Sequence, residues 1–124
     1  MAKILIIDDE RPIRETLEMF LREKGYEVAT SEKGEEGLEL IDRDPPDIVI
    51  LDILLPGIDG LEVLRKIREV AKPMKVIMIT AYHDAEMSIR AVSLGAFGYI
   101  RKPIDAAEFE MMIERAVNHP NLTQ

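Results

Sequence analysis

Ile48-Val49-Ile50-Leu51-Asp52-Ile53-Leu54-Leu55-Pro56-Gly57-Ile58-Asp59-Gly60 is the stretch that decides the fold. Four apolar residues run without a break into a carboxylate, a turn follows, and Asp59 stands where a helix can be capped. Unbroken apolarity, as opposed to alternation, marks a strand buried on both faces, as in a parallel sheet.

Two other segments have the same character. Residues 4–7 are continuously apolar and end at Asp8-Asp9, and residues 76–79 end at Thr80. Residues 28–30 and 97–100 are weaker strands, the second leading into Arg101-Lys102-Pro103. Helical patterns lie between them. Pro12 suits a first helical turn, and Ile13, Leu17, Phe20 and Leu21 recur on one face before Gly25 stops the helix. A second helix spans about residues 34–43, with Glu35 and Glu36 in its first turn and Leu38 and Ile41 facing inward, and Pro45-Pro46 ends it. Asp59 opens a third, whose face is Val63, Ile67, Val70 and Ala71. The fourth, at about residues 84–94, has no clean stripe among Met87, Ile89, Ala91, Val92 and Leu94, and Gly95 stops it. Asp105 with Glu108 resembles a capping box for the fifth, which carries Phe109, Met112, Ile113 and Ala116 inward. Residues 1–118 form one domain on this pattern, and residues 119–124 are a polar tail or the start of a linker.

Five strand–helix repeats predict an α/β fold, a doubly wound (βα)5 parallel sheet with right-handed crossovers. With the strong strands central and the weak ones at the edges, the strand order is 2-1-3-4-5, the flavodoxin-like arrangement.

The 124 residues carry a formal net charge of -8, which disfavours direct binding to nucleic acid or to an anionic membrane face. There is no Cys, hence no disulfide or thiolate metal site, which suits a reducing cytoplasm. No apolar run is long enough to span a membrane, and the N-terminal one is too short for a signal peptide.

Ligands of an open α/β sheet bind beyond the carboxyl ends of the strands, at the point where strand order reverses. Here that point lies between strand 1, ending in Asp8-Asp9, and strand 3, ending in Asp52. Thr80 and Lys102 continue the same rim. Each has a plainer use alone: Asp8 and Asp9 as helix caps, Asp52 in a turn, Thr80 bonding backbone, Lys102 solvated. His83 and His119 are expected to be exposed and incidental. Together, however, converging carboxylates repel each other, and a hard divalent ion relieves that repulsion; Mg²⁺ (or Mn²⁺) held by carboxylates, waters and a phosphate is the usual form. Lys102 adds a positive charge and Thr80 a hydroxyl donor. Such a rim stabilises phosphoryl oxygens while the Asp52 carboxylate attacks phosphorus in line.

In these respects the chain resembles the receiver domain of two-component response regulators, from Lys3 to about Asn118. The resemblance rests on Asp8-Asp9-Glu10, the stretch from Leu51 to Gly60, Thr80-Ala81, Tyr99 and Lys102-Pro103, in order and at matching spacing. It implies that Asp52 is the phosphoacceptor, and that Asp9, Asp52, the Leu54 carbonyl and, through water, Asp8 hold Mg²⁺. It implies that Lys102 binds the phosphoryl group and precedes a cis bond to Pro103, and that Thr80 and Tyr99 are the switch pair. Implied partners are a sensor histidine kinase or histidine phosphotransfer domain and a downstream effector or output domain, with a phosphorylation-dependent dimer as one outcome. A phosphorelay protein acting alone and the receiver portion of a larger regulator both remain open. Leu55 and Ile104 depart from the usual Met and Phe of the pattern and change packing. Leu54, two residues past Asp52, cannot orient a hydrolytic water, so self-dephosphorylation is expected to be slow.

Three rivals are weaker. A hydrolase of the haloacid dehalogenase type needs an acid two residues after its nucleophile, where this chain has Leu54. A nucleotide-binding module lacks its glycine-rich turn. A degenerate receiver serving only as a binding domain would not need Asp8, Asp9, Thr80 and Lys102 together. The expectation is a switch, not a turnover enzyme, catalysing only its own phosphorylation and the slow loss of the product.

Overall fold

The computed structural model describes residues 2–70, 72–81 and 84–119. Along them run β1 (Lys3–Ile7), α1 (Arg11–Glu23), β2 (Glu27–Ser31), α2 (Gly34–Arg43), β3 (Ile48–Asp52), α3 (Gly60–Ile67), β4 (Lys75–Thr80), α4 (Ala85–Ser93), β5 (Gly98–Arg101) and α5 (Ala106–Asn118). The sheet is parallel in the order β2-β1-β3-β4-β5, as the pattern predicts.

Successive side chains on a strand point to opposite faces, which explains the unbroken apolar runs. Leu5, Ile7, Val49, Leu51, Val76 and Met78 pack on one face beneath Ile41 of α2, Leu64 and Ile67 of α3 and Ala91 of α4. Ile4, Ile6, Ile48, Ile50, Ile77 and Ile79 pack on the other beneath Leu17 and Leu21 of α1 and Phe109, Ile113 and Ala116 of α5. Each central strand is thus covered twice. Phe109 is wholly buried and meets the Phe20 ring edge-on at 5.8 Å, joining α5 to α1.

The helix ends follow their local chemistry. Asp59, Asp84 and Asp105 each accept a backbone N–H from the first turn of α3, α4 and α5. Gly25 and Gly95 follow α1 and α4 with φ of 95° and 91°, the left-handed region that a glycine enters without a Cβ clash.

Three details differ from the sequence pattern. α3 stops at Ile67, because Glu69 N–H and Val70 N–H bond three residues back, to Lys66 and Ile67, and tighten the last turn. Val70 still packs on the core from that turn, whereas Ala71 lies outside the described residues. β5 is displaced by one residue, so that Gly98 begins it and Phe97 N–H bonds Val76 O ahead of it. His119 is exposed but not without partners: its carbonyl accepts from Lys75 Nζ at 2.6 Å and its ring meets Phe97 edge-on. His83 and residues 120–124 fall outside the described residues.

Among the described residues, no helix is long and apolar enough to cross a membrane.

Candidate functional site

Parallel strands bring their carboxyl ends to one edge. Asp8 directly follows β1, Asp52 closes β3, Thr80 closes β4, and Lys102 directly follows β5. Strand register places Ile7 beside Leu51, Asp52 beside Ile79 and Thr80 beside Arg101, so all four candidate residues lie on one rim. Asp8, Asp52 and Thr80 are buried there. Lys102 is tied in through its N–H, which donates to Thr80 O at 2.8 Å, and its bond to Pro103 is cis.

The Lys102 ammonium is the centre of the site. Its Nζ lies 3.0 Å from Asp52 Oδ2, 3.0 Å from Asp8 Oδ2 and 2.5 Å from Glu10 Oε1. The contacts to Asp52 and Glu10 are hydrogen bonds. The approach to Asp8 is an ion pair by distance only; Asp8 Oδ2 is buried and accepts no hydrogen bond. The other oxygens are taken: Asp8 Oδ1 accepts Glu10 N–H at 2.8 Å, and Asp52 Oδ1 accepts Leu54 N–H at 3.1 Å.

This crowding moves both titrations. Burial pushes the Asp52 carboxyl up to about 6, helped by the neighbouring charge of Asp8 and opposed by Lys102 and by the Leu54 N–H. Burial would lower the Lys102 ammonium, but Glu10, Asp52 and Asp8 outweigh it and hold its pKa above the ordinary value. Burial also raises the Tyr99 hydroxyl, with Asp84 adding to the effect and Arg101 opposing it.

Backbone packing fixes where Asp52 ends up. A Cβ on Gly60 would stand 2.2 Å from Asp52 O and 2.6 Å from Ile53 Cα, so only glycine lets the start of α3 press on this strand end. Gly60 N–H bonds Ile53 O at 2.8 Å across the same contact. The loop between them is tethered from α2, where Glu35 Oε2 accepts Ile58 N–H at 3.2 Å.

The residues singled out in the sequence do not all converge. One oxygen each of Asp8, Asp52 and Glu10 lie within 4.8 Å of one another, a group able to hold a metal ion. Asp9 is exposed and outside that group. The Leu54 side chain is 49% exposed, and its N–H, not its side chain, touches Asp52. Tyr99 is half-buried against the α2–α3–α4 core, one strand over from Met78. Glu10 is the residue that sequence reasoning passed over. The signal available was its place, one residue past the acid pair at the turn into α1, with a side chain long enough to fold back over the rim.

Asp8 Oδ2, which accepts no hydrogen bond, and the carboxylates beside it are oxygen donors of the kind a hard divalent cation takes, and Lys102 Nζ is the cation that stands among them.

A family model described as the response regulator receiver domain matches residues 4–114. The structure is similar to a response regulator receiver domain protein from Clostridium thermocellum, with 37% identity, 95% of each chain covered and a TM-score of 0.88. It is also similar to the non-phosphorylated HemR receiver domain from Leptospira biflexa, with 27% identity, 100% of each chain covered and a TM-score of 0.92. NtrX from Brucella abortus in complex with ADP matches 94% of this chain at 34% identity and a TM-score of 0.87, but through only 27% of its own length.

Proposed function

The chain belongs to the response regulator receiver domain family, and on that footing we propose that it is a phosphorylation-activated switch whose phosphoacceptor is Asp52. The observation that carries this is the buried Asp52 carboxylate at the end of β3, hydrogen-bonded at 3.0 Å to Lys102 and flanked by Asp8. Receiver domains partner with histidine kinases and output domains. The donor proposed here is accordingly the phosphohistidine of a sensor kinase or phosphotransfer domain in the cytoplasm.

In the reaction an Asp52 oxygen forms a bond to phosphorus as the P–N bond to the donor imidazole breaks, and the imidazole nitrogen keeps the electron pair. Lys102 donates to the developing phosphoryl charge, and Thr80 supplies a hydroxyl donor from the adjacent strand end. The family binds Mg²⁺ at an acidic pocket; here Asp8, Asp9 and Asp52, with the Leu54 carbonyl, would hold it, Asp8 through water. The ion, or Mn²⁺ in its place, supplies charge that neutralises phosphoryl oxygens and relieves the carboxylate repulsion.

The output is a population shift. Thr80 turning to the phosphoryl group frees space that Tyr99 follows, and α4 reports the change. Ile89 and Val92 of α4 are 66% and 64% exposed, a surface suited to an effector, an output domain or a second copy. No acid stands at position 54 to speed hydrolysis, so the site stores its product and does not turn over as a phosphatase.

Intact mass after incubation with acetyl phosphate and Mg²⁺ tests this. One added phosphoryl group is expected, absent without Mg²⁺ and absent in Asp52→Ala. Steady phosphate release with no mass gain would favour a hydrolase, and no reaction would favour a binding domain.

A further inference from the structure

We propose that Glu10 is a positioning residue for this site: its carboxylate holds Lys102 in the unphosphorylated state and competes with the incoming phosphoryl group for that ammonium. The inference rests on the phosphoacceptor reading of Asp52 and adds a residue to it.

Glu10 occupies the N-cap position of α1, yet its side chain makes no capping hydrogen bond. It reaches instead across the rim to Lys102, 92 positions along the chain, at 2.5 Å. An ammonium has three N–H donors and no acceptor. Glu10 and Asp52 each take a hydrogen bond, and Asp8 Oδ2 lies at ion-pair distance, so carboxylates surround the Nζ. With three carboxylate oxygens within 3.0 Å of the Nζ, a phosphoryl oxygen arriving on Asp52 can close on the ammonium only as one of them moves off.

Burial decides which partner yields. The side chains of Asp8 and Asp52 are 0% and 4% exposed, and leaving either charge unpaired there is costly. The Glu10 side chain is 55% exposed and is rehydrated as it leaves. Glu10 is therefore the partner displaced, and its bond to Lys102 opposes phosphoryl binding by whatever that pair contributes. A pair with one solvated member contributes up to about 1 kcal/mol, which corresponds to roughly a two- to fivefold effect on affinity.

Glu10→Gln removes the charge and leaves only a neutral amide oxygen as a weaker acceptor for Lys102. Glu10→Asp keeps the charge on a side chain one methylene shorter. Glu108→Gln, at a residue that lines a cleft with Tyr99 and Lys102, removes a charge while leaving the Glu10–Lys102 contact alone. Each full-length variant is titrated with beryllofluoride, a phosphoryl mimic, in saturating Mg²⁺, followed by amide NMR. The ¹⁵N signal of the Lys102 ammonium is recorded before the mimic is added. Glu10→Gln and Glu10→Asp are expected to bind beryllofluoride roughly two- to fivefold tighter than wild type. Both should shift the resting ammonium signal, and Glu108→Gln should do neither. Affinities of both Glu10 variants equal to wild type would overturn the proposal. So would equal gains in Glu10→Gln and Glu108→Gln with Glu10→Asp unchanged, since that pattern is a field effect and not a contact. If wild type itself binds no beryllofluoride and takes no phosphoryl group, the reading of Asp52 fails and this inference with it.

Discussion

Replacing the Asp52 carboxylate should make the metal-free protein more stable. Asp52 is 3% exposed, and its carboxyl is raised from the ordinary 3.8 to about 6, first by burial and then by Asp8. A carboxyl whose pKa is higher in the folded than in the unfolded chain binds protons more tightly when folded. Its ionisation therefore opposes folding, an effect that begins above about pH 3.8, grows through pH 6 and is complete near pH 7. At about 1.36 kcal/mol per pH unit, the gap between those values amounts to about 3 kcal/mol. Asp52→Asn keeps the shape of the side chain and removes the charge. In EDTA near pH 7 it should gain up to about 3 kcal/mol, or on the order of 10 °C in Tm for a domain of this length. The chain has no Trp, so far-UV circular dichroism in urea is the suitable probe. The advantage over wild type should shrink as pH falls from about 7 to 4, because native wild type then takes up the proton. A variant no more stable than wild type at pH 7, or an advantage independent of pH, would refute the electrostatic account of this site.

Other perturbations read the same rim. Lys102→Met leaves Asp8 and Asp52 buried against each other without their cation; in EDTA it should lose about 3 kcal/mol in urea unfolding, and added Mg²⁺ should restore part of that loss. Gly60→Ala places a Cβ 2.2 Å from Asp52 O, so the strand end or α3 must move. A loss of about 1–3 kcal/mol in urea unfolding is expected, together with slower phosphorylation by acetyl phosphate. The aspartyl phosphate, isolated and followed by intact mass in Mg²⁺ buffer, should persist well beyond seconds, because the Leu54 side chain carries no group to orient water; a half-life of seconds would contradict that.

The fold was legible because each central strand must be apolar on both faces. Ile48 to Leu51 says so directly, and Ile50 and Leu51 do pack into opposite layers. The edges were legible by contrast, since residues 28–30 and 97–100 are only weakly apolar beside the three central runs. Helix starts written in caps were readable at Asp59 and Asp105, and the structure adds a cap at Asp84. The end of α3 was not readable, because Val70 continues the apolar period from within a tightened turn: periodicity reports which side faces the core, not which hydrogen bonds are made. The site was legible as a set of strand ends, since parallel topology alone brings Asp8, Asp52, Thr80 and Lys102 to one rim. What spacing could not give was the choice among neighbours. Asp8, Asp9 and Glu10 are three consecutive acids, and the backbone turn after β1 buries the first, exposes the second and aims the third at a lysine 92 positions away.

Two buried carboxylates facing one ammonium are a poor arrangement for stability and a good one for a response. Asp8 and Asp52 share Lys102 in a place largely closed to water, with Glu10 at its exposed edge, and the Asp52 carboxyl is raised first by burial and further by Asp8. A divalent cation removes the repulsion, and any group that binds the native state alone stabilises it in proportion to its affinity. A phosphoryl group then needs a second positive partner, and Lys102 is already at hand, 3.0 Å from Asp52 Oδ2. The binding of each charged species is therefore drawn by an imbalance the fold maintains at its own cost. Fast hydrolysis would need a further acid or base beside Asp52 to handle a water, and two residues past Asp52 stands the half-exposed, apolar Leu54. With an apolar side chain in that place, the charge imbalance is expected to favour a product that forms readily and decays slowly.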